Sequence, residues 1–183
     1  MNKQNQLNIL KNKLKEIKFD FFKGNLVFND GNINSELMLI GEAPGKTEDK
    51  QSKPFAGKSG TMLRELLDKA KINDIYMTNV IPFHPPNNRT PNIKEINLMK
   101  PYIKEHISII KPKIIVAAGL TCLKCLGINK SLSSVQGKGL IQTELGNIYP
   151  IFHPAYLIRN RKIHGDFFQS LLNLKKIIQE QNI

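Results

Sequence analysis

Apolar residues recur along this chain in two rhythms that alternate. Leu7, Leu10, Leu14 and Ile17 follow one another at spacings of 3, 4 and 3, which predicts an amphipathic helix over residues 3–18. Leu37-Met38-Leu39-Ile40 is an unbroken apolar run closed by Gly41, the pattern of a strand covered on both faces. Before it, Asp30-Gly31 is a turn signal within a short extended segment. The helical rhythm returns at Met62, Leu63, Leu66, Leu67 and Ala70, with Ser59 as the expected cap. Residues 75–80 predict a second strand. Pro82, Pro85, Pro86 and Pro91 then bar regular structure until about Asn92. A third helix runs over 92–110, with Ile93, Ile96, Met99, Ile103 and Ile107 on one side and Pro101 as a candidate irregularity. Residues 113–118 predict a strand ending at Gly119, followed by a short helix carrying Cys122 and Cys125. Residues 133–147 are turn-rich. A last strand over 147–152 stops at His153-Pro154, and a final helix covers 163–178.

Strands alternating with helices imply right-handed crossovers. The expected fold is a single α/β domain over 1–183, with 1–23 as an N-terminal helix and short lead-in. It has three layers, α/β/α, around a mostly parallel four-stranded sheet. In such folds a ligand sits beyond the carboxyl ends of the strands. The residues just past the first, second and fourth strands are Gly41-Glu42, Asn79-Val80 and His153-Pro154. A carboxylate, an amide and an imidazole therefore converge on one rim, which core packing does not require.

Composition narrows the partners. Lys+Arg 27 against Asp+Glu 15 gives a net charge of +12. With 23 Lys, 24 Ile and 19 Asn, compositional drift explains lysine over arginine but not lysine over glutamate. The excess is concentrated, at +3 over residues 1–80, +9 over 81–164 and zero over 165–183. A solvated lysine face is the bland alternative to a polyanionic partner such as nucleic acid. No apolar run reaches membrane-spanning length, and the N-terminus lacks the apolar core of a signal peptide. Two cysteines three residues apart on one helix do not suit a disulfide, which points to a reducing, cytoplasmic setting or carries no information.

The loop Gly41-Glu42-Ala43-Pro44-Gly45-Lys46-Thr47 approaches a phosphate-binding loop but is one residue short of G-x-x-x-x-G-K-[ST], and Pro44 removes a donor. An unrelated nucleotide-binding α/β enzyme is disfavoured on that ground. The loop instead offers three carboxylates, Glu42, Glu48 and Asp49. Phe55, in a polar glycine-rich stretch, is either a hydrophobic anchor or a stacking platform for a base. Residues 85–91 form a rigid polar loop, and His153 alone would read as a local cap.

Six ordered blocks, however, resemble the uracil-DNA glycosylase superfamily, closest to its family 4. They are Gly41-Glu42-Ala43-Pro44-Gly45, Glu48-Asp49, Pro54-Phe55-Ala56-Gly57-Lys58-Ser59-Gly60, Thr78-Asn79-Val80, Pro85-Pro86-Asn87-Asn88-Arg89-Thr90-Pro91 and His153-Pro154-Ala155-Tyr156-Leu157-Ile158-Arg159. The resemblance covers about residues 24–175 and implies an enzyme acting as a monomer on DNA containing uracil. Family 4 members usually carry a four-cysteine iron–sulfur cluster. Here Phe83 and Met99 stand at two ligand positions, and the other pair is missing around Phe19-Asp20-Phe21-Phe22. Two thiolates cannot satisfy a four-thiolate site, so no cofactor and no metal are expected.

The resemblance also implies roles. A base inside a duplex must be flipped out to be reached. Phe55 would stack on the flipped uracil, and Asn79 would donate to O4 and accept from N3–H, a pairing cytosine reverses. His153 would hydrogen-bond O2 as negative charge develops, helped by N–H groups of the Gly41, Ala43 and Gly45 loop. Family 1 members have an aspartate where this chain has Ala43, so Glu42 is the first choice to orient water. Glu48 and Asp49 follow, with loop capping as their other reading and steric lining of the pocket as a further one for Glu48. Residues 156–159, Tyr156 and Leu157 among them, would form a wedge in the vacated stack. Arg89, Lys138 and Arg159, with Arg161 and Lys162, would meet phosphates. The alternative is a non-catalytic relative that binds uracil or single-stranded DNA.

Overall fold

A computed structural model describes residues 1–17 and 24–183. The chain runs α1 (Lys3–Glu16), β1 (Asp30–Gly31), β2 (Leu37–Gly41), α2 (Lys46–Gln51), α3 (Lys58–Lys69) and β3 (Tyr76–Asn79). After a 3-10 turn at Pro86–Asn88 come α4 (Ile93–Ile110), β4 (Ile114–Ala118), α5 (Leu120–Cys125) and α6 (Leu132–Val135). The hairpin β5 (Ile141–Thr143) and β6 (Gly146–Ile151), then α7 (Pro154–Arg159) and α8 (His164–Glu180), complete it.

The sheet is mixed α/β but has six strands, in the order β1-β3-β2-β4-β6-β5. The four expected strands form its inner, wholly parallel part. The four-strand expectation is corrected at both edges, where β1 and β5 add antiparallel strands. Neither has a hydrophobic signature. β1 pairs through two residues, and β5 is only half-buried. The other corrections are local. Residues 46–51, expected as loop, make α2, and α6 lies inside the turn-rich stretch. Helix α3 is capped by Gly57, leaving Ser59 in its first turn. Helix α4 runs through Pro101, started by Asn92, whose side chain accepts the Glu95 N–H while Glu95 accepts the Asn92 N–H.

Strand alternation divides the core between two faces. Met38, Ile40, Tyr76, Ile115, Ala117 and Ile148 pack with Leu7, Leu10, Leu14, Ile103, Ile107 and Leu123 from α1, α4 and α5. Leu39, Met77, Val116, Tyr149 and Ile151 pack with Leu63, Leu67, Leu157, Phe167 and Leu171 from α3, α7 and α8. That is the expected three-layer arrangement. Its register fixes the rim, because Gly41 lies directly beside Asn79 and Ala118 beside Ile151 at the carboxyl ends of the strands.

Candidate active site

A pocket of about 410 Å³ opens at this rim, of a size usual for small-molecule sites. Glu42, Ala43, Gly45, Glu48, Phe55, Asn79, Arg89, His153, Tyr156 and Arg159 all line it. Gly41 lies against two of them, Asn79 and Phe55. A Cβ there would fall 2.6 Å from the Phe55 ring and collide with the Asn79 amide, so glycine is what lets those two side chains lie together.

Asn79 is 4% exposed, yet its side-chain amide bonds no described residue. Neither of its polar atoms is sealed from the pocket. A buried amide without a protein partner is costly unless something else completes it. Its backbone is held by pairing with Gly41, and the Gly41 and Glu42 carbonyls go on to accept the Val80 and Ile81 N–H groups at 2.9 and 3.0 Å.

His153 caps α7 through Nδ1, which accepts the Ala155 N–H at 3.3 Å. A ring nitrogen that accepts carries no proton, so the neutral ring bears its hydrogen on Nε2. Burial holds the imidazole below its ordinary range; Glu42 and Glu48 pull the other way and Arg159 reinforces the lowering. The ring packs on Gly119, whose φ of +96° and lack of a Cβ leave it room. The local cap read from sequence and the rim position therefore coexist in one side chain.

The three carboxylates divide. Glu48 is buried with both oxygens taken, by the Gly45 N–H at 3.1 Å and the Gly57 N–H at 2.7 Å. It clamps the two ends of the loop that carries Phe55. Asp49 accepts the Asn25 N–H at 2.6 Å and is outside the pocket. Only Glu42 lines the pocket with an uncommitted oxygen: Oε2 accepts from Thr121 Oγ1 at 2.5 Å, and Oε1 bonds no described residue.

Phe55 is 6% exposed and held at φ +53°, a conformation unusual for a side chain of its size. Arg64 fixes it, donating to the Phe55 and Pro54 carbonyls at 3.0 and 2.9 Å while pairing with Asp30 at 2.7 Å. No local pattern in the sequence marks Arg64. The same holds for Thr121, while Ser59, Asn88 and Thr90 belong to the resembling blocks and reach the pocket without an expected role there.

Among the cationic and wedge residues the placement departs from expectation. Leu157 is fully buried against the α3 and α8 side of the core, because a six-residue helix turns one residue inward; Tyr156 and Ile158 are exposed instead. Lys138 lies in a separate depression with Asn173, Lys176 and Glu180. Arg161 and Lys162 do not line the pocket. Arg89 does, but its guanidinium is bidentate to buried Glu95, holding that carboxyl below the usual carboxylate range and tying the 85–91 loop to the start of α4. Arg159 lines the pocket, and its guanidinium makes no hydrogen bond or ion pair with a described residue.

The residues do not fit a four-thiolate cluster. The chain has two cysteines, both free and buried in α5, where burial pushes the Cys125 thiol up to about 12 and Cys122 well above its ordinary value. Phe83 and Met99 are buried in the apolar core. Phe19-Asp20-Phe21-Phe22 lies outside the described residues. Among the described residues no group of His, Cys, Asp and Glu is arranged to hold a metal, and no helix is long and apolar enough to cross a membrane.

Comparison with known proteins places most of the chain among relatives. The profile of the Uracil DNA glycosylase superfamily matches residues 28–175. The chain is 40% identical to the type-4 uracil-DNA glycosylase of Thermotoga maritima over 141 residues, 75% of this chain and 73% of that protein. It is 35% identical to the one from Pyrobaculum aerophilum over 160 residues, 82% of each. Against that of Sulfurisphaera tokodaii the identity is 34% over 178 residues, 91% of this chain and 76% of that protein. On these similarities over most of its length, the chain belongs to the uracil-DNA glycosylase superfamily, with the type-4 enzymes.

Proposed function

We propose that the chain flips uracil out of DNA and hydrolyses its N-glycosidic bond, with Asn79 reading the base, His153 stabilising the departing anion and Glu42 serving the sugar side. The observation that carries this reading is the Asn79 amide, buried, unpartnered and open to the same pocket as the His153 ring. One amide group offers both the donor and the acceptor that the O4 and N3–H edge of uracil needs. Cytosine would leave both atoms unpaired, which is how a hydrogen-bonding site rejects an analogue.

The bond from sugar C1′ to uracil N1 breaks with its electron pair staying on the base. The Nε2–H of neutral His153 donates to O2 as that charge grows. The uncommitted oxygen of Glu42 orients the water and faces the cationic sugar. The water oxygen bonds C1′ and releases a proton, the uracil anion takes up a proton, and an abasic site remains. Phe55 stacks on the base, and N–H groups of the 41–45 loop assist. Tyr156 and Ile158 fill the vacated stack, a role Leu157 is too buried to share. Arg159 meets phosphate, and Arg89 contributes its outer edge while bracing the loop.

We further propose that the enzyme is a single domain over 1–183, acts as a cytoplasmic monomer and holds no iron–sulfur cluster. Phe83 and Met99 fill the space apolarly, which their burial and the count of two cysteines support. The test is incubation with a uracil-containing oligonucleotide followed by alkali. Cleavage at the uracil position is expected from U·G and single-stranded substrates. Binding without cleavage on either would replace the enzyme reading with the non-catalytic one. Stoichiometric iron and a brown colour in the purified protein would overturn the cluster-free reading.

A further inference from the structure

We infer that Thr121 is a positioning residue that sets the Glu42 carboxylate for reaction. The inference rests on the role proposed for Glu42. The Glu42 backbone is already fixed, since its carbonyl accepts the Ile81 N–H and the preceding Gly41 carbonyl accepts the Val80 N–H. Its side chain has three free torsions and would otherwise sweep the pocket. The one described group that holds it is the Thr121 hydroxyl, at 2.5 Å from Oε2.

Thr121 is itself well placed to hold. It is 5% exposed, in the first turn of α5, which starts directly after β4 at Gly119. The hydroxyl has one hydrogen, and it goes to Glu42. Being β-branched, the side chain has few rotamers in a helix, so the hydroxyl direction is firm. The two carboxylate oxygens are thereby made unequal: Oε2 is tied to the scaffold, and Oε1 is presented to the pocket. Gly119 also lies against His153, so the β4–α5 corner meets both the residue that holds the carboxylate and the imidazole.

The bond acts through Glu42 alone, which dictates the test. Thr121→Val keeps shape and removes the hydroxyl; Thr121→Ser keeps the hydroxyl. Single-turnover uracil release and KM for a U·G duplex would be measured for both, with and without Glu42→Gln, alongside melting temperature. A loosened carboxylate predicts a fall of roughly 10- to 100-fold in the chemical rate for Thr121→Val. KM should stay within about threefold, and Thr121→Ser should keep the rate within about threefold. In the Glu42→Gln background, Thr121→Val should change the rate by less than about threefold, since coupled residues are not additive. A Thr121→Val enzyme as fast as the parent, with Glu42→Gln impaired, overturns the inference and leaves the Glu42 role standing. The same multiplicative loss in both backgrounds overturns it too, by making Thr121 a general structural residue. A Glu42→Gln enzyme with unchanged rate removes the reading beneath both.

Discussion

Two of the buried polar side chains on strand β3, at its two ends, face opposite fates. At its start, the Tyr76 hydroxyl lies 2.5 Å from His106 Nε2, and the His106 ring stacks on Phe28 with centroids 4.8 Å apart. At its end, Asn79 is as deeply placed but bonds no described side chain. In the first, the hydroxyl and the ring Nε2 satisfy each other, and burial pushes the His106 imidazole down to about 3. The second is a half-interaction. A buried polar group with a protein partner explains structure, whereas one without a partner and open to a pocket specifies a ligand. The carboxylates repeat the contrast, Glu48 being complete and Glu42 half-committed.

The comparison breaks most sharply at its unpartnered end. Asn79→Ala should slow uracil release by roughly 10²–10⁴, as for lost transition-state hydrogen bonds, while melting moves by no more than about 1 kcal/mol of stability. His153→Ala should behave alike. Because His153 is held below the ordinary imidazole range, activity should persist as pH falls through that range, which a pH–rate profile would check. The wedge provides the next test. Leu157→Ala should cost about 2–5 kcal/mol in denaturant unfolding, as a core truncation, whereas Ile158→Ala should leave stability nearly unchanged and slow release from duplex more than from single strands.

At the completed end of β3, Tyr76→Phe should destabilise by about 1–3 kcal/mol by leaving His106 buried without its partner, with uracil release little altered. His106 also sets a pH dependence. Between pH 6.5 and about 3 the unfolded chain binds a proton that the folded chain does not, so stability falls as pH falls, by up to about 1.4 kcal/mol per unit. Replacing His106 by Gln should flatten that slope in urea melts. The smallest effect belongs to Lys138→Gln. Its place away from the pocket predicts an unchanged release rate and a salt dependence within measurement error of the parent, while Arg159→Gln should lower the salt slope by about one contact.

Which parts were legible in the sequence follows the same division. Inner strands and long helices were readable because burial writes a period into them, and strand ends then located Gly41-Glu42, Asn79 and His153 without further help. The edge strands wrote no period. Asp30–Gly31 pairs through two residues, and Ile141–Thr143 keeps a half-exposed face. Partner choice was equally hidden. Nothing in the sequence says that Arg89 is engaged by Glu95, six residues on at the start of α4, or that Glu48 spans from Gly45 to Gly57. Leu157 was misplaced because a six-residue helix is too short to declare its inward phase. Thr121 is one hydroxyl in a helix read for its cysteines, and its partner is 79 residues away.

The central claim is that the Asn79 amide and the His153 Nε2–H are the two groups waiting for the base. Nitrogen-15 NMR of the protein titrated with uracil reads both directly. The Asn79 side-chain amide and the His153 Nε2–H should move together as uracil binds, while His106 stays fixed. Saturable binding that leaves the Asn79 amide unmoved would contradict it.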